Sequence, residues 1–203
     1  MAKNSKNLSS NSTSVHSLGT PVITVLGHVD HGKTTLLDAI RKTNIATREH
    51  GGITQKIGAS QVEIVHEKQK RKITFIDTPG HEAFMQMRGR GAKVADIGLL
   101  VVSAVDGVMP QTKESIKILK ASGIPYIVVL TKSDVPDKNV EKVKGQLLKE
   151  EVLLEGQGGD VPVIEVSAKA NDNIKELLDL ILLVSDMHPI QASDTFKGVV
   201  IES

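Results

Sequence analysis

The chain has 203 residues, a formal charge of +1, 39% hydrophobic residues and only 2% aromatics. That length suits one domain with room for a tail or linker, the charge gives no global reason to favour nucleic acid or an anionic membrane, and the core must be built from Val, Ile, Leu and Ala. The absence of cysteine excludes a disulfide framework, a thiol nucleophile and cysteine-ligated zinc, and no apolar run nears the roughly 18 residues of a membrane span, so the expectation is a soluble, cytoplasmic protein.

Residues 1–20 are rich in Ser, Asn and Thr with almost no apolar content, and read as a disordered tail rather than a transit peptide. From Pro21 the pattern changes to short apolar runs alternating with helical stretches. "VITVL" (22–26) reads as a buried strand and "KTTLLDAIRK" (33–42) as a helix. "ASQVEIVH" (59–66) alternates like an edge strand, and the charged "EKQKRK" (67–72) turns it into "ITFID" (73–77). "IGLLVVSA" (97–104), a helix from about Gln111 to Ser122 stopped by Gly123, "YIVVLT" (126–131), a helix near 138–151 and the strand "VPVIEVS" (161–167) follow. The closing helix repeats Ile174, Leu177, Leu178, Ile181 and Leu182 on one face, with Asn173 and Glu176 as a capping pair. Strands that do not alternate, separated by helices, imply a mostly parallel sheet covered on both faces. The expected fold is α/β, doubly wound, with a six-stranded sheet over 21–188. Pro189 ends the last helix, and 189–203 reads as a linker and the first strand of a truncated second domain.

In open α/β sheets, ligands bind where the strands end. The first strand ends in "GHVDHGKT" (27–34), which fits G-x-x-x-x-G-K-[ST]. Gly27 and Gly32 let the backbone wrap its N–H groups round phosphate oxygens, with His28, Asp30 and His31 supplying the loop between them. The helix that begins near Lys33 and carries Thr34 and Thr35 adds its positive dipole end. Lys33 suits the β- and γ-phosphates, and the Thr34 hydroxyl suits Mg²⁺. "ITFID" brings Asp77 to the same edge, where a carboxylate can hold Mg²⁺ through water, and Gly80 frees a backbone N–H for the γ-phosphate. Alone, "DTPG" is an ordinary turn; beside a phosphate cradle it points to a P-loop nucleoside triphosphatase.

"TKSD" (131–134) ends a further strand on that edge. The Asp134 carboxylate can accept from N1–H and N2–H₂ of guanine, whereas adenine would present a lone pair at N1, and a site built round a substrate N–H rejects analogues lacking it by about 10⁴–10⁵. Lys132 can lay its alkyl stem along the base and ribose. "SAK" (167–169) ends the next strand, where the Ala168 N–H can reach the guanine O6 beside Ser167 and Lys169.

These motifs resemble those of the GTPases, whose base-reading motif is Asn-Lys-x-Asp. Thr131 stands where Asn is usual; it keeps a hydroxyl but lacks the reach of an amide, and one lost hydrogen bond would cost about 0.5–1.5 kcal/mol. "GHVDHGKTTLLDAIR" and "DTPGHEAF" resemble the translational GTPases. "EHGGITQKIGA" (49–59), "MRGRGAKVADI" (87–97) and "DGVMPQTKESI" (106–116) are similar to the GTPase domain of bacterial-type translation initiation factor two. The resemblance implies a GTP-hydrolysing switch, bound to GTP or GDP with Mg²⁺, in a monomeric factor that promotes ribosomal subunit joining. It implies that Thr54 is a Mg²⁺ ligand formed only with GTP. It makes His81 the water-orienting residue, drawn into place by large-subunit ribosomal RNA, and Val29 one side of an apolar gate that holds it away. Initiator tRNA would be bound only through domains missing from the chain. The rivals are a nucleotide switch with negligible hydrolysis and an elongation-factor-type GTPase.

Blander readings stand beside these. Four of the seven histidines, His28, His31, His50 and His81, fall in or near the motifs, but no second His follows "HEAFM" at zinc-protease spacing, which disfavours zinc. "KQKRK" (68–72) reads as a solvated hairpin tip rather than an RNA contact. Asp96 reads as a solvated or capping charge, and Asp106 as a turn residue with Gly107.

Overall fold

A computed structural model of the chain describes residues 19–43, 58–77 and 95–188. In chain order these form β1 (Val22–Gly27), α1 (Lys33–Thr43), β2 (Gly58–His66), β3 (Gln69–Asp77), β4 (Ile97–Ser103), α2 (Pro110–Ser122), β5 (Tyr126–Thr131), α3 (Val140–Lys149), β6 (Val163–Glu165) and α4 (Ile174–Met187). One six-stranded sheet runs in the order β2-β3-β1-β4-β5-β6. β2 is antiparallel to β3, and every other neighbouring pair is parallel.

The apolar runs are continuous because both faces of the sheet are covered. Ile97, Leu99 and Val101 of β4 and Ile127 and Val129 of β5 pack with α1 and α4 through Leu36, Leu37, Ile40, Leu177 and Ile181. The alternate residues Leu100, Val102, Val128 and Leu130 pack on the other face with Ile116 and Leu119 of α2 and Val143 and Leu147 of α3. Period 2 is present, but each period fills a different apolar layer. Local signals set the helix ends. Pro110 opens α2, where the Met109 N–H donates to Thr112 Oγ1 at 3.2 Å. Gly123 closes it with φ 68°, a conformation that costs glycine least. At α3, Asn139 Oδ1 accepts from the Lys142 N–H at 3.0 Å.

Four details differ from the sequence reading. The β2–β3 turn is two residues, Glu67 and Lys68, with φ 47° and 64°, so 69–72 belong to β3 and pair with 63–66. Arg71 therefore points inward. It is 9% exposed and forks onto both carboxylate oxygens of Asp186 in α4, at 2.9 and 3.3 Å, so it is no solvated tip residue. Asn173 does not cap α4; its backbone is left-handed and its amide donates to the Glu165 carbonyl at 2.9 Å. Regular pairing in the last strand covers only 163–165, with single bridges at Val161 and Ser167. Asp96 accepts from the Val22 N–H at 2.7 Å, securing the start of β1, and burial raises its pKa.

Candidate functional site

The parallel strands β1, β3, β4 and β5 all end on one edge, which gathers Gly27, Asp77, the turn after Ser103, and Thr131. Gly27 is required by crowding: a Cβ there would run into the Val101 carbonyl oxygen of β4. The loop 28–32 then reverses the chain with Asp30 and Gly32 in left-handed conformations, φ 61° and 83°. Such backbone turns N–H groups toward a common centre, and helix geometry leaves the first-turn N–H groups of α1 without intrahelical acceptors. Lys33 is 8% exposed and its ammonium donates to the carbonyls of Gly27 at 3.0 Å and His28 at 2.5 Å. The cation is thus folded over the loop, while Thr34 and Thr35 are exposed beside it.

Two contacts bind this loop to its neighbours. Gln111, at the start of α2 and 8% exposed, accepts the Val29 N–H on Oε1 at 2.8 Å. Thr131, 3% exposed at the tip of β5, donates its hydroxyl to the His31 carbonyl at 2.7 Å. The hydroxyl thus reaches the loop although Thr131 lacks the reach of an amide.

His31 is 1% exposed and its ring meets that of His28 edge-on at 5.0 Å. Burial, then His28, lowers its pKa to about 4, so it is neutral near pH 7. Neither ring nitrogen makes a hydrogen bond of good geometry among the described residues, although the Val101 backbone and the Asp106 carboxylate pull the pKa back in part. Five buried side-chain polar atoms lack partners there, and four belong to His28, His31 and Ser133. Unsatisfied polarity is thus concentrated where the strands end, as at sites shaped for something other than stability.

The residues expected to read a base come from two neighbouring tips. Asp134 accepts from the Ser167 hydroxyl at 2.7 Å, and Ser167, 1% exposed, also accepts the Ala170 N–H at 3.0 Å. The Ser167 bond holds the Asp134 carboxyl below its usual range. Backbone bonds from Ser133 to the Val166 carbonyl and from Val166 to the Leu130 carbonyl keep the two loops side by side. Ala168 is half-buried and Lys169 exposed on the second. Lys132, with φ 60°, reaches Asp106 at 2.8 Å. A cleft beside β6 is lined by Ser133, Lys138, Lys144, Glu165 and Asn173, but Lys138 pairs with Glu165 and Asn173 with the Glu165 carbonyl. It lies apart from the phosphate loop.

On the other side of β1, burial raises the pKa of Asp77, opposed by the charges of Arg41 and Lys33. Its ionised form is thus desolvated at the tip of β3, a place a divalent cation would stabilise. Among the described residues no group of three or more His, Asp or Glu could hold a metal alone. An ion here would take Asp77, the Thr34 hydroxyl, phosphate oxygens and water, which suits Mg²⁺. Thr54, Gly80 and His81 lie outside the described residues. The structure adds Gln111 and Ser103, which had no role in the sequence, and places Asp106 on the expected turn but with Lys132 as its partner; no motif marks a residue whose partner is 82 positions away.

The profile of the elongation factor Tu GTP binding domain matches residues 19–186. Sequences named translation initiation factor IF-2 from Roseiflexus sp. (strain RS-1) and Synechococcus sp. (strain JA-3-3Ab) are 56% and 54% identical over 185 residues, 90% of this chain but 25% and 18% of theirs. The chain thus spans about a quarter or less of the curated relatives it matches. Among solved structures, the translation elongation factor SelB from Methanococcus maripaludis, in complex with the GTP analogue GppNHp, is 29% identical with TM-score 0.68, over 88% of this chain and 36% of that one. GDP-bound aIF5B from Aeropyrum pernix is 32% identical with TM-score 0.65, over 83% of this chain and 36% of that one.

Proposed function

The chain belongs to the elongation factor Tu GTP binding domain family, and on that premise we propose that it is the GTP-hydrolysing switch domain of a translation initiation factor. One observation carries the guanine reading. A carboxylate, Asp134, is held ionised by Ser167 at 2.7 Å, three residues beyond the Thr131 that braces the phosphate loop. Base acceptor and phosphate donors thus sit on one frame at the ends of adjacent strands. Asp134 accepts from N1–H and N2–H₂ of guanine, and the backbone N–H of Ala168 serves O6. Asp30, His31, Gly32, Lys33, Thr34 and Thr35 surround the phosphates.

When bound, Mg²⁺ supplies positive charge to the phosphate oxygens, held by Thr34 and Asp77 and, in the GTP state, by Thr54. His81 orients the attacking water in the family's manner, and Val29 serves as one side of the apolar gate that holds it away; Val29 is 39% exposed and its N–H is fixed by Gln111. The identity to IF-2 sequences over 90% of the chain supports a role in ribosomal subunit joining, with the ribosome as activator. Initiator tRNA falls to other domains. Cytoplasmic location and a monomeric state complete the reading; among the described residues no helix is long and apolar enough to cross a membrane.

The test is competition of GDP, GTP, ADP and XDP against a fluorescent guanine nucleotide, on the unaltered chain and on Asp134→Asn. GDP should win by orders of magnitude, and the variant should turn to XDP. Equal competition by GDP and ADP refutes the guanine reading. For hydrolysis, His81→Ala should lose ribosome-stimulated turnover; stimulated turnover at the unaltered rate refutes its role.

A further inference from the structure

The contact between Lys132 and Asp106 is not explained by stability. Both side chains are partly exposed, 35% and 43%, and an ion pair in that setting contributes little. Yet the chain builds carefully for it. Lys132 holds a left-handed backbone, φ 60°, which a β-carbon disfavours. Asp106 stands on a turn after β4 that is fixed from below: its N–H and that of Val105 donate to the Ser103 hydroxyl at 3.1 and 3.3 Å, and Ser103 is fully buried. The Gly107 N–H closes the turn on the Ser103 carbonyl at 2.9 Å, and the Ala104 N–H ties it to the Thr131 carbonyl at 2.9 Å. A carboxylate on a rigid turn therefore fixes the end of a flexible four-carbon stem.

The stem starts at the tip of β5 and its ammonium ends at the turn after β4, so it lies across the two strand tips between the phosphate loop and Asp134. An aliphatic stem fixed at both ends offers a flat apolar ledge, the surface a purine face packs against. We propose that Asp106 is a positioning residue for nucleotide binding: by fixing the Lys132 ammonium at 2.8 Å it holds the lysine stem as a shelf for the nucleobase. The inference rests on the guanine-nucleotide reading above. It assigns Asp106 an effect on how long a nucleotide stays, since a shelf formed before the base arrives need not be ordered by it. GDP and GTP share the base, so both should respond equally.

The experiment is stopped-flow release of a fluorescent GDP and a fluorescent GTP analogue from the full chain and from Asp106→Asn, Asp106→Glu, Lys132→Met and Asp106→Asn/Lys132→Met. Asp106→Asn should speed release of both nucleotides about three- to tenfold, with association within twofold and an unchanged melting temperature. Asp106→Glu should recover most of that loss. In the Lys132→Met background, Asp106→Asn should add nothing, a coupling that damage to the turn alone would not give. Unchanged release in Asp106→Asn, or the same factor on top of Lys132→Met, overturns the inference while leaving the nucleotide reading intact. Failure of the unaltered chain to bind the fluorescent GDP overturns that reading, and this inference with it.

Discussion

Replacing Thr131 by Val tests whether β5 and the loop after β1 form one unit. The change keeps the branched shape in a buried strand position and removes only the hydroxyl that donates to the His31 carbonyl at 2.7 Å. An acceptor left unsatisfied in the interior costs about 1–3 kcal/mol. That cost divides between two observables. The part borne by the folded chain without nucleotide lowers its stability, by about 2–4 °C in melting temperature per kcal/mol for a domain of this size. If the freed loop is disordered until phosphates order it, the remainder appears as weaker binding, and 2 kcal/mol would be about thirtyfold in Kd. Thr131→Ser keeps the donor and is the control: its Kd for GDP should stay within about twofold of the unaltered chain. Thermal melts and fluorescent-GDP titrations of both variants read the two parts. A Thr131→Val protein with melting temperature and Kd both unchanged would refute the brace.

Four further outcomes follow from the same geometry. His31 has its pKa lowered from 6.5 to about 4. As pH falls from 6.5 to 4 the unfolded chain takes up a proton that the folded one refuses, so stability should drop by up to about 3 kcal/mol across that window; urea melts at pH 7 and 4.5 should show it, and His31→Gln should flatten it. Gln111→Ala removes the acceptor of the Val29 N–H and should speed GDP release about three- to tenfold, as loss of one such bond allows, measured by stopped flow. Asp186→Asn weakens the fork with the buried Arg71 and should cost about 1–2 kcal/mol of stability. It should leave the Kd for GDP unchanged, because Arg71 lies about 20 Å along β3 from Asp77; calorimetry and titration together check both. Gly27→Ala, whose Cβ would strike the Val101 carbonyl, should abolish GDP binding in the same titration.

Much of this could be read along the chain because its signals are local. A strand followed by a glycine loop and a helix carries its own spacing, and Gly27, Lys33 and Thr34 belong to one such run. The unalternating apolar strands announced a sheet with two covered faces, and Leu99 and Leu100 indeed fill different layers. What stayed hidden depends on distance. Arg71 looks like one more charge in "KQKRK" until α4 brings Asp186 beside it, 115 positions on. Asn173 carries a capping residue's chemistry, but its backbone is left-handed and its side chain makes no capping bond, its amide donating instead to the Glu165 carbonyl. Thr131 looks too short for its post because reach was judged against a side chain, while the His31 backbone comes to meet it. Gln111 carries no signature at all, since its work is done on an N–H that any residue possesses, and Asp106 shows its turn in the sequence but not Lys132, a partner chosen by the fold.

The sheet order has a consequence for selectivity between nucleotides. β1 and its loop divide the edge: β4, β5 and the loop after β6 lie to one side, β3 with Asp77 to the other. On the first side the tips are cross-linked through Thr131 to His31, Lys132 to Asp106, and Ser167 to Asp134. On the guanine-nucleotide reading, contacts there would meet the base, ribose and the phosphates that a nucleoside di- and triphosphate have in common. Their contribution is common-mode, and it cancels when the affinities for GDP and GTP are compared. Substitutions among these residues should therefore shift both affinities in step. Apart from Lys33 in the loop itself, the contrast between the two nucleotides would then be generated across β1, on the flank of β3.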